Sequence, residues 1–192
     1  MTLYFATKNE GKFKEAKLVF ESLGLKLTML NADKIEIQSE NLEEIASYAA
    51  RELAERLSLK VIVEDAGLFI RSLNGFPGPY SAYTYKTIGL SGILKLMEGL
   101  SDRYAYFLSV VAYAEPGKPV KIFHGRVEGL ITYTSRGSRG FGFDPIFQPL
   151  EGDGRTFAEM TSEEKNTLSH RSRAFRKLAL WIKESQASNF KL

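Results

Sequence analysis

Val61-Ile-Val-Glu64-Asp65-Ala-Gly67-Leu-Phe-Ile70 is the stretch that decides the fold class. Its β-branched start has the stiffness of an internal strand, and it places adjacent carboxylates, Glu64 and Asp65, at what reads as the strand's carboxyl end. Ala66-Gly67 then permits a tight continuation into Leu68-Phe-Ile70. Ligands of open α/β sheets sit beyond the carboxyl ends of strands, so this acidic pair is a candidate site. Adjacent carboxylates repel; a shared cation or a solvated strand end would relieve them equally well.

Toward the N-terminus, Leu3 to Ala6 reads as a strand, interrupted by Thr7-Lys8-Asn9-Glu10-Gly11-Lys12. Phe13, Ala16, Phe20 and Leu23 then recur at helical spacing, with Gly24 as a stop. A polar loop ending at a helix start offers free N–H groups and the positive end of the dipole to an anion, and Lys12 adds a mobile charge. Equally, Thr7 or Asn9 caps the helix and Lys12 is solvated. Leu25 to Leu30 follows as a second strand, and Leu42, Ile45, Ala46, Ala49, Leu53 and Leu57 mark one face of a long helix. Glu36 and Glu40 precede that helix, where an acid suits a helix start or a solvated surface.

Toward the C-terminus, Asn74-Gly75 is a turn and Phe76-Pro-Gly-Pro79 a constrained loop. Tyr80, Tyr83 and Tyr85 crowd the next segment, suiting a ligand wall or a subunit interface. A short helix is expected over Leu90 to Leu100. Tyr104 to Ala114 and Val120 to Thr132 form an antiparallel hairpin around Glu115-Pro-Gly-Lys118, with His124 in an ordinary surface or core role.

Arg136-Gly-Ser-Arg-Gly140-Phe-Gly-Phe-Asp144-Pro-Ile-Phe-Gln-Pro149 is too glycine-rich for an ordinary strand. Phe141 and Phe143 offer ring faces, and Asp144 an acceptor for a ring or exocyclic N–H, which together suit a nucleotide. Thr161-Ser-Glu-Glu164 has the form of a capping box and puts Lys165 in the first turns of a helix. Ser169-His170-Arg171 starts another, whose Ala174, Phe175, Leu178, Trp181 and Ile182 face the body. Fraying is expected from Gln186.

The bulk numbers narrow the chemistry. At 192 residues, 44% hydrophobic and 26% charged, the chain has the size of one domain spanning residues 1–192. With no cysteine and with His124 and His170 as the only histidines, thiolate chemistry and a multi-histidine zinc site are excluded. A metal would be a hard one on carboxylates, Mg²⁺ above all. Basic residues scattered among 23 acidic ones, at net charge +3, argue against a polynucleotide-binding tail. No long apolar run marks a membrane span, and the first residues read as a strand instead of a signal, so a cytoplasmic protein is expected.

Taken together these segments resemble the noncanonical purine nucleoside triphosphate pyrophosphatases, the inosine/xanthosine triphosphate pyrophosphatase family. The likeness runs from Thr7-Lys-Asn-Glu-Gly-Lys12 through Glu64-Asp-Ala-Gly67, Gly75-Phe-Pro-Gly78 and Gly140-Phe-Gly-Phe-Asp-Pro-Ile-Phe147. It continues through Phe157-Ala-Glu-Met160, Glu163-Glu-Lys-Asn166 and Ser169-His-Arg171. The resemblance implies an α/β fold, an elongated mixed sheet with flanking helices in two lobes around a central cleft. It also implies homodimers that cleave ITP, dITP and XTP to monophosphate and pyrophosphate with Mg²⁺, cleansing the nucleotide pool. By the same likeness Thr7, Asn9 and Lys12 would bind triphosphate, Glu36, Glu64 and Asp65 metal, and Asp65 would also orient or deprotonate water. Phe141 would stack on the purine, Asp144 and Lys165 would contact base and phosphate, and His170 and Arg171 would read the 6-oxo edge. Lys8 stands where many members have a small or amide residue, and Glu64-Asp65-Ala66 replaces the commoner Asp-Asp-Ser, which removes a hydroxyl from phosphate binding. A nucleotide or single-stranded RNA-binding module, and a pyrophosphatase for modified pyrimidine triphosphates, are the competing readings.

Overall fold

A computed structural model describes residues 2–189. Its strands and helices follow one another as β1 (Leu3–Ala6), α1 (Glu10–Ser22), β2 (Leu27–Leu30), α2 (Leu42–Leu57), β3 (Val61–Ile70), β4 (Pro77–Gly78), α3 (Ser81–Thr87) and α4 (Gly89–Leu96). Then come β5 (Tyr104–Ala114), β6 (Lys121–Ile131), β7 (Phe147–Pro149), α5 (Ser162–Leu168) and α6 (His170–Asn189). The sheet has the order β2-β1-β3-β5-β6-β7, with β4 attached to the far half of β3. β2, β1 and β3 are parallel, whereas β3, β5, β6 and β7 alternate in direction. This is the mixed α/β sheet with flanking helices that the sequence implied.

Alternation along the strands sorts the core. Ile62 and Val111 point to the face covered by α1 and α6, where Phe5, Phe20 and Phe175 meet edge to face. Val63, Val110 and Ala112 point to the other face, under α2. The small side chains of Ala46, Ala49 and Ala50 let that helix lie close to the sheet. A separate cluster around Leu68, Phe107, Phe147 and Phe157 fills the end of the sheet near β7.

Several boundaries differ from the sequence expectation. β2 starts at Leu27, because the Leu25 N–H donates to Phe20 O and still belongs to the close of α1. β3 does not end at the acidic pair; it runs unbroken from Val61 to Ile70. Gly67 is a strand residue, needed because a Cβ there would lie 2.3 Å from the Gly78 carbonyl oxygen of β4. The expected helix over Leu90 to Leu100 ends at Leu96, and α3 precedes it within the tyrosine-rich segment. The last helix passes Gln186 and reaches Asn189, while residues 190–192 of the expected frayed tail lie outside the described residues.

Candidate active site

The site lies where β3 loses a neighbour. Parallel pairing of β1 with β3 stops at Phe5 and Ile62, and β4 pairs only from Leu68, so this edge of β3 is bare between them. Asp65 and Ala66 occupy that stretch and line a cavity of about 300 Å³ together with Lys12, Phe141, His170 and Arg171. The sequence put the acidic pair at a strand end; the structure puts it beyond the end of β1's pairing instead. Pleating also separates the pair. Glu64 shares the α1/α6 face with Ile62, and Asp65 shares the other face with Val63.

α1 brings Lys12 to this edge. Asn9 caps the helix by accepting from the Lys12 N–H at 3.0 Å, and Thr7 Oγ1 accepts from the Asn9 N–H at 3.1 Å. Of the two capping candidates Asn9 is the cap and Thr7 braces it, whereas Lys12 is not simply solvated. Its ammonium lies 2.8 Å from Glu64 Oε2. The contact is an ion pair without hydrogen-bond alignment, and it leaves the buried Oε2 with no hydrogen-bond partner.

Behind the cavity, buried charges alternate in sign. Glu64 Oε1 accepts from Ser109 Oγ at 2.8 Å and from Arg171 Nε at 3.0 Å. Arg171 Nη1 donates to Glu15 Oε2 at 2.7 Å. Lys165 Nζ lies 2.7 Å from Glu15 Oε1 and 2.6 Å from Asp144 Oδ2, which also accepts from the Phe141 N–H at 2.8 Å. Burial opposes the charge on Glu64, but Arg171 and Lys12 outweigh it and hold the carboxyl far below the ordinary range. Glu15 is likewise lowered, its burial outweighed by Arg171 and Lys165. Asp144 goes the other way: burial pushes it up despite Lys165.

Asp65 differs from these buried acids. Burial, with the charge of Glu64 added, pushes it up to about 6 against the pull of Lys12. Its Oδ1 accepts only from the Ala66 N–H, at 3.0 Å. The His170 ring stacks on Phe107 at 4.6 Å and 10°, and its Nδ1 is buried without a partner. Burial and Arg171 hold this imidazole neutral, well below the usual histidine range.

The glycine-aromatic loop splits into two roles. Phe141 lines the cavity with Lys165 Nζ 4.8 Å and Arg171 Cζ 5.3 Å from its ring centre. Phe143, expected to offer a second ring face, also lines the cavity but is mostly buried and meets Tyr85 edge-on at 5.5 Å. Gly140 has φ +73°, and a Cβ on it would stand 2.1 Å from Asp144 Oδ2, so its bareness admits the acceptor that fixes the Phe141 backbone. Asp144, expected to face a base edge, lines the cavity while holding Lys165 and the Phe141 N–H.

Residues 3–181 match the sequence model of the Ham1 family. The chain belongs to the Ham1 family. The dITP/XTP pyrophosphatase of Thermococcus kodakarensis is 54% identical to it over 185 residues, covering 96% of this chain and 99% of that protein. That of Methanopyrus kandleri is 52% identical over 187 residues, covering 97% and 99%. Among solved structures, a HAM1 protein from Coxiella burnetii matches with a TM-score of 0.84 at 32% identity, over 96% of this chain and 99% of that one.

In this Ham1 chain Asn9, Lys12, Asp65, Phe141, Asp144, His170 and Arg171 meet around one cavity, with Glu64 and Lys165 directly behind it. Glu36 is not gathered with them; it is exposed in the segment before α2 and pairs with Lys34 at 3.1 Å. His124 is on the surface, 2.9 Å from Glu43, as its ordinary reading required. Sequence reasoning missed Glu15 and Ser109. Glu15 carried a usable signal, since it falls in the apolar stripe of α1 beside Ala16 and Val19, where an acid must have a buried partner. Among the described residues no trio of His, Asp and Glu gathers as a metal cage, and no helix is long and apolar enough to cross a membrane.

Proposed function

We propose that this protein hydrolyses the triphosphates of deaminated purines, dITP, ITP and XTP, to the monophosphate and pyrophosphate. The observation that carries the reading is the single cavity in which Asp65, poised near pH 6, and Lys12 at a helix start face Phe141 and the neutral His170. Phosphate chemistry and a base-binding surface are thus presented together. The activity named for the relatives at half identity and nearly full length is the same one. A binding module would leave the desolvated Asp65 without use.

In this mechanism Lys12 holds phosphate oxygens at the head of α1 and neutralises charge that develops as pyrophosphate leaves. Asp65 orients the attacking water and takes its proton; an acid titrating near 6 is ionised at neutral pH yet basic enough to accept. Phe141 covers the purine face, while Lys165 and Asp144 fix the loop that carries it. His170 faces the base edge, where a donor would favour a 6-oxo acceptor over the amino group of adenine.

The carboxylates near the cavity are of the type a hard divalent ion takes, although Glu64 Oε2 already faces the Lys12 ammonium at 2.8 Å and Asp65 points to the other face of β3. Asp65 and Glu64 would hold Mg²⁺; Glu36, the third acid the resemblance implies, pairs with Lys34 and is not gathered with them. Bound there, the ion would withdraw charge from the triphosphate.

Nucleotide substrates point to the cytoplasm, and the exposed Tyr80 and Tyr83 on the tyrosine-rich segment support a homodimer. Strands β3, β5 and β6, each spanning both ends of the sheet, support one domain over residues 1–192. The decisive experiment follows pyrophosphate and monophosphate from dITP, XTP, GTP, ATP and dUTP with Mg²⁺. Fast pyrophosphate release from dITP and XTP is expected; orthophosphate release, or preference for dUTP, would overturn the assignment.

A further inference from the structure

The cations around the cavity are of two kinds. Lys12 is held by Glu64, and Arg171 is divided between Glu64 and Glu15. Lys165 behind them is divided between Glu15 and Asp144. The positive charge on this side is therefore largely answered from within the protein, and an arriving polyanion must compete with carboxylates for it. Lys86 is different. It lies in the last turn of α3, is exposed, and lines the same cavity. Among the described residues its side chain has no hydrogen bond, ion pair or ring contact. Ala82, one turn earlier, lines the cavity with only a methyl group, so no long side chain crowds Lys86 from that turn.

A lysine in the last turn of a helix gains a little from the dipole wherever it points. That gain does not explain a free ammonium at the mouth of a site built for phosphate. We propose that Lys86 is a substrate-binding residue whose ammonium meets a phosphate oxygen of the bound triphosphate from the α3 side. The proposal rests on the triphosphate reading above. The long flexible stem of lysine suits a contact made only when ligand arrives. Such a contact stabilises substrate and transition state alike, so its loss appears in KM and not in kcat. Standing in solvent, it is also screened by salt.

The test compares the wild type with Lys86→Met and Lys86→Arg, using dITP turnover and calorimetric binding of inorganic tripolyphosphate. Lys86→Met should raise KM about fivefold, the scale of one exposed charge contact, and leave the melting temperature unchanged. Lys86→Arg should restore KM, and the difference between wild type and Lys86→Met should shrink at high salt. Tripolyphosphate should bind Lys86→Met more weakly by a similar factor. An unchanged KM with unchanged tripolyphosphate affinity overturns the proposal. If the wild type fails to turn over dITP but still binds tripolyphosphate more tightly than Lys86→Met, the role of Lys86 stands and the hydrolysis reading falls.

Discussion

Glu15 Oε2 and Arg171 Nη1 stand 2.7 Å apart in the interior although 156 positions separate the residues in the chain. Glu15 also holds Lys165, so this one carboxylate on α1 fixes two cations carried by the last two helices. Glu15→Ala leaves both without their buried partner, and a loss of about 3–5 kcal/mol in unfolding free energy is expected. Urea denaturation reads it directly. Glu15→Gln, which keeps the shape and some hydrogen bonding, should lose less, and KM for dITP should rise in both. A loss under about 1 kcal/mol for the alanine variant would mean that water replaces the carboxylate.

Asp65→Asn removes the carboxylate that, in the proposed mechanism, accepts a proton from water. Turnover of dITP should fall by a factor of about 10² to 10⁴ with KM little changed, because the loss is confined to the transition state. In the wild type, kcat should decline as pH falls through about 6, where Asp65 becomes protonated. A flat profile from pH 5 to 8, or an asparagine variant with near-normal turnover, would remove Asp65 from the base role.

The same residue has a stability signature of defined sign. Its pKa in the folded protein, about 6, lies above the ordinary 3.8, so its contribution is most favourable below the ordinary value and is lost as pH rises through 6. Allowing for water that reaches the cavity, the loss is about 2 kcal/mol. Glu64 and Glu15, both lowered, act in the opposite sense: their contributions are full above about 4.5 and fade as pH falls. Asp65→Asn should therefore be more stable than wild type at pH 7 and about equal to it near pH 4. Unfolding curves at both values would test this, and equal stability at pH 7 would contradict the desolvation of Asp65.

Phe141 can be disturbed without being changed. A Cβ added to Gly11 would lie 2.6 Å from Phe141 Cδ1, so Gly11→Ala must push the ring from its place. Alanine also favours the helix over glycine by about 1 kcal/mol. The expected result is a protein of equal or higher stability whose KM for dITP is raised about tenfold, as in Phe141→Ala, the scale of one lost stacking contact. A normal KM in both variants would show that the purine does not rest on this ring.

Local patterning made much of the fold legible, and tertiary pairing concealed the rest. Capping by Asn9, the box at Thr161 and Glu164, and the β5–β6 hairpin were readable because each is decided within a few residues. The length of β3 was not, because Ala66-Gly67 looks like a break until β4 and β5 are known to flank it. In the site, the sequence singled out Lys12, Asp65, Phe141, His170 and Arg171, which the structure gathers around one cavity. It could not tell Phe141 from Phe143, since only the packing of Tyr85 and the apolar end cluster claims the latter. Nor could it show that Arg171 is spoken for by Glu15 and Glu64.

In the proposed mechanism, that commitment of Arg171 shifts the burden of base reading to His170. With Nε on Glu64 and Nη1 on Glu15, the guanidinium that lines the cavity is tied to two buried carboxylates. The imidazole is free of such ties: it is neutral, stacked on Phe107 and buried with Nδ1 unpartnered. His170→Phe should keep the stacking and remove the hydrogen-bonding nitrogen atoms. A 6-oxo base would then bury its acceptor without a donor, at about 1–3 kcal/mol, whereas adenine would lose no matched contact. The expected outcome is a drop of about tenfold to a hundredfold in kcat/KM for ITP, little change for ATP, and a folded protein at least as stable as wild type. Equal losses on both nucleotides would place the discrimination elsewhere in the cavity.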